Sequence, residues 1–582
     1  TERMPTRKGD FIAIILREMM NAKHLESHWG NLDGIQQKAV AEAVYAPTFD
    51  AGAFGYKYGE DPNWGESDRW SYSIRQPSLL NLFILERGNN RTRAVPSDLK
   101  ALLKAFVPKP PSIKLETLET HPETVTVSYY TFDPKTYKRK ETAEDVVLLH
   151  YDTEHAAQHD LLAVLRLIDA GKVRVSAKTR RPTAATIKAV TEMLLGGDFY
   201  PENEDLEPYE TDPRPIKAFA WPLIVQAAGL TRISGTKLQL SPTGRKALTA
   251  PPHSTLQTAW NRWLKTTLLD ELNRVNVIRG QTGRGKRGLT APAKRRKTVV
   301  GVLKKCPPNR WVAFDEFYRY MRASGILLEV SVEPWELYIE EHQYGQLDGG
   351  GALLASRYMM VFLFEYAATL GLIDLAYLYP SNIRDDYADF WGADDLDALS
   401  RYDGLMYFRL NNLGAWCLGR RQNYTPSSIE IQQIFTVLPN LDVVASGPLQ
   451  PADRIVLEQF AKQASDAIWK IQSEQLLKSV EAGHSVADME TFLKTRSGGQ
   501  LPETVAIFFS DIVGKIKQLK DLGTARLIEV ADPAVATLIA HDSSLKNLCL
   551  PAGETHIVVP VKSETIFRSR LRKLGYVLPP SE

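Results

Sequence analysis

Leu238-Gln-Leu-Ser-Pro-Thr-Gly244-Arg-Lys-Ala-Leu248 and Phe408-Arg-Leu-Asn-Asn-Leu-Gly414-Ala-Trp-Cys-Leu418 carry one pattern twice. In each, two apolar residues alternate, a glycine follows the second by four positions, and apolar residues return three and four positions after that glycine. The alternation predicts a half-buried strand, because strand side chains point to opposite faces with period two. The spacing after the glycine predicts the start of a helix. Each segment is reached through a similar step, Ala227-Ala-Gly229-Leu for the first and Thr369-Leu-Gly371-Leu for the second. Both therefore read as the closing strand of a winged helix-turn-helix unit feeding its next element.

Working outward, Leu161, Leu162, Leu165 and Ile168 fall at helical spacing, Gly171 stands where the helix should stop, and Val173 and Val175 alternate. A basic turn, Lys178-Thr-Arg-Arg181, then meets Pro182 at an expected first helical position, and Ile187, Val190 and Leu194 mark one face of the next helix. The acidic stretch 202–212 has no periodicity and reads as a linker. Val302 and Leu303 before Cys306-Pro-Pro-Asn, followed by Phe314, Phe317, Tyr318 and Met321, predict the beginning of the second unit. The fold expected is α+β and multi-domain, with tandem winged helix-turn-helix units followed by a small α/β domain. Its divisions are 1–150, mostly helical and without a motif; 151–215, a winged-helix-like unit and acidic linker; 216–280, a second such unit; 281–426, a basic loop plus a third; and 427–582.

A chain of 582 residues, 44% hydrophobic and 24% charged, can bury several cores, which excludes global disorder. The formal charge of +2 implicates no partner, so any polyanion-binding surface must come from local segregation. Three scattered cysteines, Cys306, Cys417 and Cys549, exclude a disulfide framework and a thiolate zinc knuckle and fit a reducing cytoplasm. The polar start TERMPTRKGD and the lack of 18 consecutive apolar residues predict no leader and no membrane span.

In the last quarter, Ile434-Phe-Thr-Val-Leu-Pro-Asn-Leu-Asp-Val-Val444, Trp469-Lys-Ile-Gln-Ser-Glu-Gln-Leu-Leu-Lys478, Ala482-Gly-His-Ser-Val-Ala-Asp-Met-Glu-Thr-Phe-Leu493, Leu501-Pro502 and the ending Leu571-Arg-Lys-Leu-Gly-Tyr576 form a recognisable succession. Together, over 427–578, they resemble the helicase-associated domain at the N-terminus of XPB-type DNA helicases, a domain that also ends bacterial proteins without a motor. The resemblance implies a docking or DNA-proximal role, transfers no catalytic residue, and comes without the helicase lobes that follow this domain in XPB. It implies as partners DNA, with double strands expected over single, and a separate ATPase or helicase subunit. Genome maintenance, transcription control and antiviral defence against foreign DNA are its open settings.

Among chemical motifs, Gly280-Gln-Thr-Gly-Arg-Gly285-Lys286-Arg287 matches the phosphate-loop spacing, but Arg287 stands where the Mg²⁺-binding Ser or Thr belongs and Gly288 and Pro292 interrupt the required helix. The same stretch reads better as a flexible basic loop. Arg279, Arg284, Lys286, Arg287, Lys294, Arg295, Arg296 and Lys297 lie there with no acidic residue among them, a composition suited to tracking phosphates. Lys178, Arg180 and Arg181, with Lys172, Arg174 and Lys188, form a second basic cluster before a helix start, where phosphates are favoured. His155 and His159 lack a third ligand, and no nucleophile elbow occurs. Asp385, Asp386, Asp389, Asp394, Asp395 and Asp397 are a candidate two-metal cluster that reads better as an acidic wing. The expectation is a non-enzymatic DNA-binding adaptor with no cofactor and no metal. The alternatives are a protein scaffold that does not touch DNA and a metal-dependent nuclease using the acidic run.

Overall fold

In a computed structural model of the chain, which describes residues 7–67, 74–87, 92–132, 139–201, 212–280, 288–339, 347, 350–393, 396–426, 433–519 and 521–579, Gly244 and Gly414 take the same place in two copies of one arrangement. A Cβ on either would stand 2.0 Å from a carbonyl oxygen, that of Leu230 or of Leu372, so only glycine fits. The residue three before each glycine caps the helix that follows and ties back to the preceding turn. Ser241 Oγ accepts from the Gly244 amide at 3.0 Å and donates to the Gly229 carbonyl at 2.8 Å. Asn411 does the same with its two amide atoms, accepting from Gly414 and donating to Gly371, each at 2.9 Å. Gly229 and Gly371 both end a helix in the left-handed region, at φ +68° and +77°.

Each copy has the order helix, short extended segment, helix, helix, β-hairpin, helix. The first uses Thr153–Asp169, residues 173–175, Ala184–Thr191, Lys217–Ala227, the hairpin Thr231–Ser234 with Lys237–Leu240, and Pro242–Ala247. The second uses Pro292–Leu303, Trp311–Ala313, Phe314–Ala323, Gly351–Val361 running on as a wider turn through Phe362–Ala367, the hairpin Ile373–Tyr377 with Leu405–Leu410, and Asn412–Cys417. Trp311–Ala313, Leu405–Leu410, Ile373–Tyr377 and Leu149–Tyr151 form one antiparallel sheet in that order, so a strand from before the first copy completes the sheet of the second.

The division expected at 215/216 is not a boundary. The Val175 amide donates to Thr236 O at 2.8 Å and the Leu238 amide to Val173 O at 3.0 Å, so the hairpin after 216 pairs with the extended segment before 215. Neither half could bury its apolar face alone, and 151–215 and 216–280 together hold only one copy. Most of the acidic linker, 202–211, lies outside the described residues. The two copies share one core, in which Trp260 packs on Phe362 and Phe199 on Phe364 at 5.5 and 5.3 Å between ring centres. The expected mostly helical region 1–150 also contains a long hairpin, Thr124–Phe132 with Arg139–Val147, beside a helical core around Leu25, Val40, Phe54 and Leu103. Val125, Val127 and Val146 of that hairpin cover Ala376, Met406 and Tyr407 on the second copy's sheet.

The chain divides into two units, Thr1–Glu430 with Leu449–Val456, and Ile431–Pro448 with Leu457–Glu582. The second unit opens with a four-stranded antiparallel sheet in the order Phe435–Val437, Asp442–Ala445, Ile468–Ile471, Ala461–Gln463. Helices Ser473–Glu481, Val486–Arg496 and Glu503–Gln518 follow, the last starting just after Pro502 and burying Val505, Phe509 and Ile512 along one stripe. A three-stranded sheet, Ala525–Glu529, His556–Pro560 and Leu550–Pro551, closes the unit with helices Pro533–His541 and Glu564–Lys573 around Ile539, Leu545, Ile557 and Phe567. The molecule is thus a multi-domain α+β protein.

Candidate nucleic-acid interface

The basic run expected to track phosphates divides into three fates. Arg284, Lys286 and Arg287 lie outside the described residues. Arg279 is exposed on the strand Ile278–Gly280, and Lys294 and Lys297 are exposed on the helix Pro292–Leu303. Arg295 and Arg296 are buried, and this corrects their expected role. Arg295 pairs with Asp270 and donates to Thr290 O at 2.8 Å. Arg296 pairs with Glu271 and donates to the carbonyls of Trp263, Thr266 and Leu269 at 2.7, 2.6 and 2.8 Å. The run is helical rather than looped, so residues 295, 296, 299 and 300 fall on the face packed into the core. Four of the five N–H donors of Arg296 are thus engaged inside the core, and the side chain is fully buried, out of reach of a phosphate. Sequence reasoning missed the matching acid pair Asp270-Glu271, 25 residues upstream.

Other cations are spent in the same way. Arg274 binds Glu365 at 2.8 Å, Arg357 binds Asp386 at 2.7 Å and Asp403 at 2.8 Å, and Lys217 binds Asp160 at 3.3 Å. The acidic run is therefore partly structural, with Asp386 on Arg357 and Asp397 accepting from Ser381 Oγ at 3.0 Å, while Asp394 and Asp395 lie outside the described residues. Among the described residues no cluster of three or more His, Cys, Asp or Glu could hold a metal. Burial pushes the thiols of Cys306 and Cys417 up to about 12, which leaves them protonated and poorly nucleophilic at neutral pH.

The second expected cluster is built differently from the sequence reading and is larger. Pro182 precedes the helix Ala184–Thr191, which is capped by Thr183, so Lys178, Arg180 and Arg181 sit on a turn rather than at the helix start. That turn is held by the Arg180 amide donating to Ser176 O at 2.9 Å, with Arg180 at φ 62°, and by Gln226 Nε2 at the end of the third helix donating to Arg180 O at 3.1 Å. Beside it, Arg174 pairs across strands with Lys237. In the hairpin, Leu238 and Leu240 face the core, so Arg232 and Lys237 share the outer face. Lys172, Arg174, Lys178, Arg180, Lys188, Arg232 and Lys237 are exposed, and none forms an ion pair with another described residue. Like charges directly opposite one another destabilise a strand pair, and Arg174 against Lys237 is such a pair without a described carboxylate to offset it. Arg232 and Lys237 were missed by sequence because each stands singly among uncharged neighbours.

The third helices of both copies are closed to ligands. Lys217–Val225 and Leu353–Ala367 are buried on every side. A helix must expose a face to enter a groove, so neither can read base edges in this fold. The hairpin of the second copy is buried too, beneath the 124–147 hairpin. Among the described residues, only the first of the two copies presents an uncovered, cationic hairpin.

After the phosphate-loop-like stretch, the described residues are extended, with Leu289 bridged to Ser331 and the Thr290 amide donating to Val330 O at 3.0 Å. The helix starts only at Pro292, whereas a phosphate loop runs directly into its helix; Gly285 and Lys286 lie outside the described residues.

In the second unit, the strands and helices from Phe435 onward decide the remaining comparison. Residues 435–553 match the family described as helicase conserved C-terminal domain. The match covers less than a quarter of the chain and begins on the first strand of that unit. It supports a helicase-associated C-terminal region and says nothing of the two copies in the first unit. No curated protein matches the chain. No described helix is long and apolar enough to cross a membrane.

Proposed function

We propose that the chain is a non-enzymatic nucleic-acid-binding adaptor that serves a separate ATPase or helicase. Each copy in the first unit is a winged helix, and the first grips the phosphate backbone with its wing and adjoining turn, through Lys172, Arg174, Lys178, Arg180, Arg181, Arg232 and Lys237. Arg279, Lys294 and Lys297, with Arg284, Lys286 and Arg287, are a secondary set. The second copy is a structural brace, because its hairpin and third helix are both covered. The single observation that carries this reading is the uncovered cationic row Arg174, Lys237 and Arg232, set beside third helices that are buried over Lys217–Val225 and Leu353–Ala367. Contacts of this kind position a backbone and do not read sequence.

The helicase-type match over 435–553 supports association with a motor, and the sequence resemblance to the XPB N-terminal domain favours that unit as the docking module. Genome maintenance or defence against foreign DNA is the setting in which such an adaptor would act. The test is a salt series of fluorescence anisotropy on labelled duplex and single strand, with ATP and Mg²⁺ in parallel samples. The expected result is duplex binding that weakens steeply with salt, without nucleotide hydrolysis or strand cleavage. Absence of binding at low salt would favour the protein-scaffold alternative, and Mg²⁺-dependent cleavage would favour the nuclease.

A further inference from the structure

We infer that Lys304, Lys305, Arg420 and Arg421 form a second backbone-contact patch, so that the chain engages a nucleic acid at two points and needs a minimum length of duplex. The inference rests on the proposed nucleic-acid binding. All four side chains are exposed, and none forms an ion pair with a described residue. They come from segments over 100 residues apart that the fold fastens together. The Asn309 amide donates to Leu410 O at 2.8 Å, and Asn309 Nδ2 donates to Asn412 Oδ1 at 3.1 Å, which seats the 304–309 turn on the start of the helix Asn412–Cys417. Arg420 follows that helix, its amide donating to Ala415 O at 2.7 Å. Its guanidinium reaches near enough to Cys306, next to Lys305, to oppose the upward push that burial gives the thiol.

The distance between the two patches is set by one rigid element. The helix Thr153–Asp169 has 17 residues, hence a length of about 25 Å at 1.5 Å per residue. At its first turn, Glu154 Oε2 accepts from the Leu413 amide at 3.4 Å and Glu154 Oε1 accepts from Tyr424 Oη at 2.8 Å, which fixes that end beside the 412–424 segment. Its last turn leads through Gly171 into Lys172 and Arg174. The patches therefore lie at opposite ends of it. At about 3.4 Å of axial rise per base pair, a duplex shorter than about seven pairs cannot span both.

Cations after a helix C-terminus also stabilise that helix, and both Lys304 and Arg420 stand in such positions. The experiment separates this structural role from binding. Lys304→Glu/Lys305→Glu/Arg420→Glu/Arg421→Glu would be compared with the unaltered chain on a 20-base-pair duplex and on a hairpin with a five-pair stem, by anisotropy at matched salt, with thermal unfolding alongside. The expected result is a loss of about tenfold or more on the long duplex, a change under about twofold on the short stem, and a salt slope shallower by about 0.9 for each phosphate no longer neutralised. Unchanged affinity for the long duplex, or equal losses on both ligands, would overturn the inference. Should the fourfold variant unfold, Arg420→Gln/Arg421→Gln gives the same two readouts with about half the effect. Failure of the unaltered chain to bind either ligand would instead overturn the nucleic-acid reading itself.

Discussion

Arg296→Ala is expected to cost about 3–5 kcal/mol of stability, the range for removing one partner of a buried, hydrogen-bonded ion pair. Glu271 is fully buried, and burial pushes its carboxyl above the ordinary value against the opposing pull of Arg296. With that pull removed, the folded state holds a proton on Glu271 more tightly than the unfolded chain does. Protonation then stabilises the fold as pH falls toward the ordinary carboxylate range, so the deficit should be largest above neutral pH and shrink on acidification. The carbonyls of Trp263, Thr266 and Leu269 lose a donor at the same time. Urea unfolding at several pH values checks this. A variant as stable as the parent, with weakened duplex binding, would restore Arg296 to the phosphate contacts from which its burial removes it.

The same residue marks where sequence reading reached its limit. Lys294-Arg-Arg-Lys297 beside a glycine-rich stretch has the composition of a solvated loop, and composition carries no information about which helical face packs inward. What decides it is the register set from Pro292 and an acid pair at 270–271 that arrives from another segment. The repeated hairpin-to-helix segments were legible for the opposite reason, since Leu238, Leu240 and Gly244, like Phe408, Leu410 and Gly414, interact within a few residues. The union of 151–215 with 216–280 was not legible, because it depends on backbone bonds between Val173–Val175 and Thr236–Leu238 that side-chain patterns do not encode. The 124–147 hairpin was hidden by its own composition, with Thr, Tyr, Lys and Glu supplying half of its two strands. Within the interface, Lys178, Arg180 and Arg181 stood out as a charge run. Arg232 and Lys237 became visible only when alternation placed them on one face beside Arg174.

The second large effect belongs to that face. Arg174→Glu/Arg232→Glu/Lys237→Glu is expected to weaken duplex binding by about 100-fold or more near physiological salt and to reduce the slope of log affinity against log salt by about 2.7, three phosphates at about 0.9 each. The loss should be similar for unrelated sequences, since these side chains meet the backbone and not base edges. All three residues are exposed, and their joint reversal replaces the repulsion between Arg174 and Lys237 with a similar one of opposite sign, so the unfolding free energy should stay within about 0.5 kcal/mol of the parent. An affinity loss confined to one sequence would mean that the wing reads bases. An unchanged slope would remove the wing from the interface.

The most direct test of the account is site-specific crosslinking to duplex DNA. The three native cysteines are buried, so a photoreactive group can be carried on a single introduced thiol, at Arg232→Cys or Lys237→Cys on the wing or at Lys294→Cys or Lys297→Cys on the helix Pro292–Leu303. If the first wing grips the backbone while both third helices stay buried, adducts will form at 232 and 237 in strong preference to 294 and 297, on any sequence, and will disappear at high salt. Adducts at 294 and 297 with none at 232 and 237 would contradict it.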